Sequence, residues 1–406
     1  MDNTGEDKLG PLGMADLLEL DEQDCVEVDK RPWGIANENA FAFWSEGELS
    51  LRRGDTAGSY TLRGDSPIYS GIRLVDEEDS RQQTVVRSLD ERRVAREARL
   101  SRDRPDRAHV GMEGFRPGGV PAAYLPRTFS ALGSVHRGLS ARGGRVGLSD
   151  SVTLTQDGDA HSTVFDGESR DYLRPTEYPY TAVCKLEYWT MDPRTKNWAS
   201  TGSYASGFLV GRRTLLTSGH AFAKATSADA IKVIPACWGN RPVFGEGAVT
   251  WVVRRMWWHS DSGNDLQLCH LADPIGDAMG YFGAREYDSD WEDQGRWTMA
   301  GFPYDRSQYG MSVQTGIHVR DDDDGDDINL DGNTYDTTQV ENDADEASGA
   351  SGSPLFAWFG KDNACAIGVH AGYEIDGTAF GDETWSCAAG GEGFVEIVKW
   401  GRRNWD

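Results

Sequence analysis

The chain has 406 residues, 38% of them hydrophobic and fourteen of them Trp, so it can bury a sizeable core. Its 66 acidic residues against 41 basic ones leave a net charge of −25, which argues against a nucleic-acid partner. No stretch of 18 apolar residues occurs, so no helix is expected to cross a membrane.

The first thirty residues hold six Asp and four Glu and no continuous apolar segment, so a secretory signal peptide is not legible there. Helix formers with opposite charges four apart predict a solvated helix within 81–107, stopping near Pro105. Such a basic helix could dock on the acidic C-terminal half of the same chain. The texture changes between Gly158 and Pro175, from a charged, Gly/Arg-rich stretch to one rich in Trp and short apolar runs. The expected division is a mixed, partly helical N-terminal region, 1–165, and an all-β domain, 166–406.

From Tyr178 onward, short runs of period-two alternation are separated by Gly, Asn, Asp and Pro, the pattern of a sandwich or barrel. Residues 207–217 read as a hairpin turning at Gly211-Arg212-Arg213, which leaves His220 just past the second strand. Apolar positions at helical spacing after Gly393 predict a closing C-terminal helix. The six cysteines, Cys25, Cys184, Cys237, Cys269, Cys365 and Cys387, lack the short spacings of a zinc or redox site, which leaves disulfides open.

Acyl transfer needs an activated hydroxyl, a base, a group that orients the base, and donors for the developing oxyanion. Ser351 lies between Gly349 and Gly352, where a tight turn can expose a hydroxyl while the N–H groups of Gly349 and Ser351 converge. A Gly/Ser-rich stretch alone is an ordinary loop, and a lone His220 is more often structural. Asp265, entering an alternating strand, offers a carboxylate for the imidazole, and the order His220, Asp265, Ser351 is one of those known for a triad.

A separate acidic run contains Asp327-x-Asn329-x-Asp331-Gly332, the first half of a calcium-loop pattern. Thr338 stands where that loop needs a bidentate Glu, so a solvated acidic loop competes with calcium, and no other cofactor is indicated.

The motifs Ser206-Gly207-Phe208-Leu209-Val210, Leu216-Thr217-Ser218-Gly219-His220, Ala300-Gly301-Phe302-Pro303, Gly349 to Pro354 and Ile367-Gly368-Val369-His370-Ala371-Gly372 occur in family order. With Val164 to Arg170 before Tyr178, they resemble the chymotrypsin-like serine peptidases over roughly 164–400, particularly the glutamyl-endopeptidase-like branch. The resemblance implies two antiparallel six-stranded β-barrels with a C-terminal helix, and a protein or peptide substrate. It implies His220 as general base, Asp265 as its orienter, Ser351 as nucleophile and Gly349 and Ser351 as oxyanion donors. Secretion and a zymogen follow from the family alone. The N-terminal region is then either a prosegment cut near 166–174 or a permanent accessory part.

Two positions depart from the family. Ala221 replaces the Cys that usually follows the histidine, and Ala350 cannot form the buried ion pair that activates the trypsin-like branch. By the same resemblance His370 lines the specificity pocket and would meet a substrate Glu or Asp. Asp343, Asp345 and Glu346 precede the nucleophile at the pocket base, however, and a carboxylate there, with Asp345 the main candidate, would select Arg or Lys. The rival functions are a catalytically inactive, peptide-binding module of the same fold and an acidic calcium-dependent surface protein.

Overall fold

The computed structural model describes residues 10–28, 50–53, 60–63, 75–76, 112–118, 120–126, 162–165, 168–192, 194, 198–222, 225, 229–245, 248–306, 310–378 and 381–406. The helix expected within 81–107 lies outside them. Within the N-terminal region, helix α1 covers Met14–Val28. Two short strands precede the main body, β1 (Ser162–Thr163) and β2 (Asp171–Leu173).

The first unit is a closed barrel of β3 (Val183–Met191), β4 (Trp198–Leu209), β5 (Thr214–Thr217), β6 (Asp229–Pro235), β7 (Thr250–Trp258) and β8 (Leu266–Leu271). Closure comes from β8, which pairs antiparallel with both β5 and β7. The hairpin read from 207–217 is present, with Phe208 opposite Leu216 and Leu209 opposite Leu215. Alternation explains the strands: Cys184 and Leu186 on β3 point into the barrel and are fully buried, while Lys185 between them lies against the Tyr204 ring.

The second unit uses β9 (Trp297–Gly301), β10 (Met311–Ile317), β11 (Val319–Leu330), β12 (Asn333–Asn342), β14 (Pro354–Trp358), β15 (Ala364–Thr378) and β16 (Gly381–Gly390), with β13 (Glu346–Ala347) apart from them. Where a second six-stranded barrel was expected, the ladder runs through eight strands from β11 to β2, and the short strand Gly283–Ala284 pairs with β15 as a ninth. The gap a barrel ladder would close is spanned by Gln314 of β10, whose side chain donates to Asp343 O and accepts from Asp345 N. Helix α2 (Gly391–Asn404) closes the chain and buries Phe394, Ile397, Val398 and Gly401, the spacing of one helical face. Asp406 then accepts from the N–H groups of Arg212 and Arg213, pinning the C-terminal end to the hairpin turn.

One hydrophobic core joins both units and includes Phe208, Phe282, Phe302, Phe356 and Phe394. Each such buried ring contributes about 2–3 kcal/mol relative to exposure. Val120, Ala122, Ala123 and Tyr124 belong to the same core, so part of the N-terminal region is built into it. Cys184, Cys237, Cys269, Cys365 and Cys387 are buried and free.

The acidic run is not a coiled loop. Asp327 and Asn329 lie in the extended strand β11, and Asp331-Gly332 forms the two-residue turn into β12, with φ of 50° and 82°. Those angles are those of a primed hairpin turn, for which Asp-Gly is a preferred pair. Asn329 accepts from Thr334 Oγ1 and Asp331 from Trp400 Nε1. Among the described residues no group of three or more His, Cys, Asp or Glu is placed to hold a metal ion.

Candidate active site

His220 follows the end of β5, in a single 3₁₀ turn, His220–Phe222. Gly219 makes that position reachable: a Cβ there would lie 2.0 Å from the Trp258 carbonyl oxygen, so only glycine lets the chain pass the end of β7. The His220 N–H donates to Asp265 Oδ1 at 2.7 Å, and its Nδ1 stands 2.5 Å from Asp265 Oδ2. On the other side of the ring, Nε2 is 3.0 Å from Ser351 Oγ. The Asp265 side chain is 2% exposed and that of His220 35%, so the carboxylate is shielded while the imidazole stays open to solvent. Burial disfavours the imidazolium, but the hydrogen bond and charge of Asp265, with the charge of Glu346, outweigh it and raise the His220 pKa above its ordinary value.

The loop carrying Ser351 is anchored at nearly every peptide. Ala350 N–H donates to Ala347 O and Ser353 N–H to Ala350 O, while Gly352 N–H donates to His370 O and His370 N–H to Ser353 O. Across the cleft, Ser206 N–H of β4 donates to Ser351 O. The Ser206 hydroxyl donates to Gly349 O and accepts from Phe302 N–H. Tyr304 N–H holds the Ser348 carbonyl at 2.7 Å, and a planar trans peptide then turns the Gly349 N–H to the opposite side. Neither Gly349 N–H nor Ser351 N–H meets an acceptor among the described residues. Gly352 is required twice over, by φ of 90° and because a Cβ would come 2.0 Å from Ser206 O. The neighbouring Ser353 is fully buried and donates its hydroxyl to Ala350 O, away from His220.

The specificity candidates already hold internal partners. Asp345 Oδ1 accepts from Phe165 N–H, and its Oδ2 accepts from both the N–H and the hydroxyl of Ser169. Burial raises its carboxyl above the usual range against these bonds and the charge of Arg170. It thus clasps the 165–169 turn, as a fully engaged group rather than one left free for a substrate cation. Asp343 is turned to His318 and Arg320. His370 lies beside the loop, but its Nε2 is 2.7 Å from Glu346 Oε2, with side chains 1% and 6% exposed respectively. Its Nδ1 is buried without a partner.

Two residues of the site are not marked as functional by the sequence. Ser206 is one of many small residues in β4, and its tie to the Ser351 loop appears only when β4 and the loop meet. His259 sits at the end of a Trp-rich strand, yet its Nδ1 is 3.0 Å from Asp265 Oδ1. Its only clue was a histidine six residues before a candidate acid.

No curated protein matches the chain. Among solved structures, it is similar to a Glu endopeptidase in complex with MPD, with 20% identity and a TM-score of 0.41 over 60% of this chain and 100% of that one. A thermostable serine protease, AL20, from an extremophilic microorganism is also similar, with 13% identity and a TM-score of 0.37 over 55% of this chain and 98% of that one. The family model described as Trypsin matches residues 184–381, the stretch that carries the barrel, the Ser351 loop and His370, and that segment is a chymotrypsin-like serine peptidase domain.

Proposed function

We propose that the chain hydrolyses peptide bonds with Ser351 as nucleophile, His220 as general base, Asp265 as the orienting carboxylate, and the N–H groups of Gly349 and Ser351 as oxyanion donors. The observation that carries this reading is the run of contacts from Asp265 through His220 to Ser351 Oγ. Ser351 Oγ adds to the substrate carbonyl as its proton passes to His220 Nε2. The oxyanion forms against the two N–H groups, and the C–N bond breaks as Nε2 returns the proton to the leaving amine. Water then attacks the acyl-enzyme by the same proton route, releasing the acid and restoring Ser351. A fluorophosphonate probe should label the protein and fail to label Ser351→Ala. An unlabelled wild-type protein that still binds peptides would instead favour the inactive, peptide-binding module.

For specificity, the contact between Glu346 and His370 favours cleavage after Arg or Lys over cleavage after Glu or Asp. An acidic side chain approaching His370 Nε2 would find that nitrogen occupied and a buried carboxylate beside it. The second oxygen of Glu346, Oε1, has no partner among the described residues and can accept from a basic side chain. In a peptide library, wild type should prefer Arg or Lys, and Glu346→Gln should reduce that preference by about 10-fold, equivalent to about 1.4 kcal/mol. Wild-type cleavage confined to Glu or Asp would overturn the assignment and return His370 to the substrate carboxylate.

The core position of Val120 to Tyr124 favours a permanent accessory role for that segment over a removed prosegment. Cutting within 166–174 would also divide a stretch held by Asp345 and by pairing of β1 with β13. Intact mass of the active protein under denaturing conditions should give one chain containing 112–406. A single chain beginning within 166–174, or two fragments meeting there, would support the prosegment instead.

A further inference from the structure

We infer that His259 is a positioning residue for the proposed reaction, holding Asp265 from the side opposite His220 and lowering the proton affinity of His220. The inference rests on the triad reading above.

The topology places His259 there. Trp258, the last residue of β7, is the register partner of Leu266, the first of β8, so His259 and Asp265 are the next residues facing one another where the two strands part. The connection between them is closed by Asn264. Its Oδ1 accepts from Ser260 N–H and Asp261 N–H, its N–H donates to Asp261 Oδ1, and its Nδ2 donates to Ser260 Oγ. Asp261 is spent within this fold, since its other oxygen accepts from Asp326 N–H. A loop tied in this way returns His259 to the start of β8.

At the carboxylate the contacts are divided. Oδ2 faces His220 Nδ1, whereas Oδ1 faces the His220 N–H and His259 Nδ1. With the His220 N–H donating to Oδ1, His220 Nδ1 against Oδ2 and the His259 ring packed 3.0 Å from Oδ1, the carboxylate has little freedom to rotate, and rotation would turn Oδ2 away from the base. The rings of His220 and His259 are 5.7 Å apart between centroids, with Asp265 between them. The His259 ring nitrogen beside Oδ1 polarises the carboxylate toward itself and away from Oδ2, which lowers the His220 proton affinity against Asp265 and Glu346, which raise it.

The test is the pH dependence of kcat and kcat/KM for His259→Ala and His259→Asn. The alanine variant should lose roughly 10-fold in kcat with KM little changed. Its acidic limb should move up by about 0.5 unit, because Asp265 then acts on His220 alone. In His259→Asn, the side-chain Nδ2 can donate from the same branch and should restore most of kcat. A residue that merely supports the loop gives the opposite limb shift, since a loosened Asp265 stabilises the imidazolium less. A downward or absent shift, an unchanged kcat in the alanine variant, or an equal loss in the asparagine variant would overturn the role. Ser351→Ala separates the two failures. Activity surviving there removes the triad reading and this inference together, whereas a dead Ser351→Ala beside a wild-type His259→Ala removes only the role of His259.

Discussion

Ser351→Ala should lower kcat by about 10⁶-fold while leaving substrate binding and folding nearly intact. The size follows from the contacts of the one hydroxyl that faces His220 Nε2. Removing it deletes both the nucleophile and the atom whose proton the base accepts, so His220 and Asp265 have nothing to act on. A residual acceleration of roughly 10³–10⁴ over water should remain, because the oxyanion donors are backbone N–H groups that alanine keeps. The loop should also keep its shape, since it is held by Ser206 N–H to Ser351 O and by the Gly352 and His370 backbone pairs. Ser353→Ala makes the contrast. Among the described residues its buried hydroxyl bonds only Ala350 O, so its loss should cost about 1 kcal/mol of stability and leave the chemistry in place. Single-turnover kinetics with a thermal melt on each variant separate these effects. Wild-type turnover in Ser351→Ala, or its loss only in Ser353→Ala, would move the nucleophile elsewhere.

The parts of this site that were legible in the sequence are those fixed by local chain chemistry. Glycines around Ser351, the hairpin before His220 and an acid opening an alternating strand each demand a local geometry, and their family order joined them. The unreadable parts arise where distant segments meet. Ser206 became a tie to Gly349 and Phe302 only through packing of β4 against the nucleophile loop. Glu346 was visible among the acids before the nucleophile, but a linear reading could not tell that it, rather than Asp345, reaches His370. The acidic run reads two ways for a definite reason. Oxygen side chains at alternate positions before Asp-Gly serve a calcium loop, but they also suit an exposed strand entering a primed turn, and Asp327 and Asn329 lie in a strand paired with β12. The second unit shows the same limit, since the periodicity that predicts strands does not say where a ladder gives way to a side chain such as Gln314.

Asp265→Asn should reduce kcat by about 10⁴-fold, although the shape of the side chain barely changes. In the proposed mechanism the carboxylate accepts from His220 Nδ1–H, which leaves Nε2 unprotonated and able to take the Ser351 proton across the 3.0 Å contact. An amide that turns its Nδ2 toward His220 donates instead, places the ring proton on Nε2 and removes the base. If the amide oxygen faces the ring, the tautomer survives, but the imidazolium loses the negative charge that stabilises it. That charge and its hydrogen bond are what lift the His220 pKa against burial. Without them burial dominates, so the acidic limb of the residual kcat/KM should move to lower pH. This is the reverse of the upward movement expected when His259 is removed, because one substitution withdraws the charge from His220 and the other returns a larger share of it. Opposite limb shifts in the two variants, measured on one substrate, would place both histidines on the same carboxylate. A shift in the same direction would mean that His259 supports the loop and does not share the charge of Asp265.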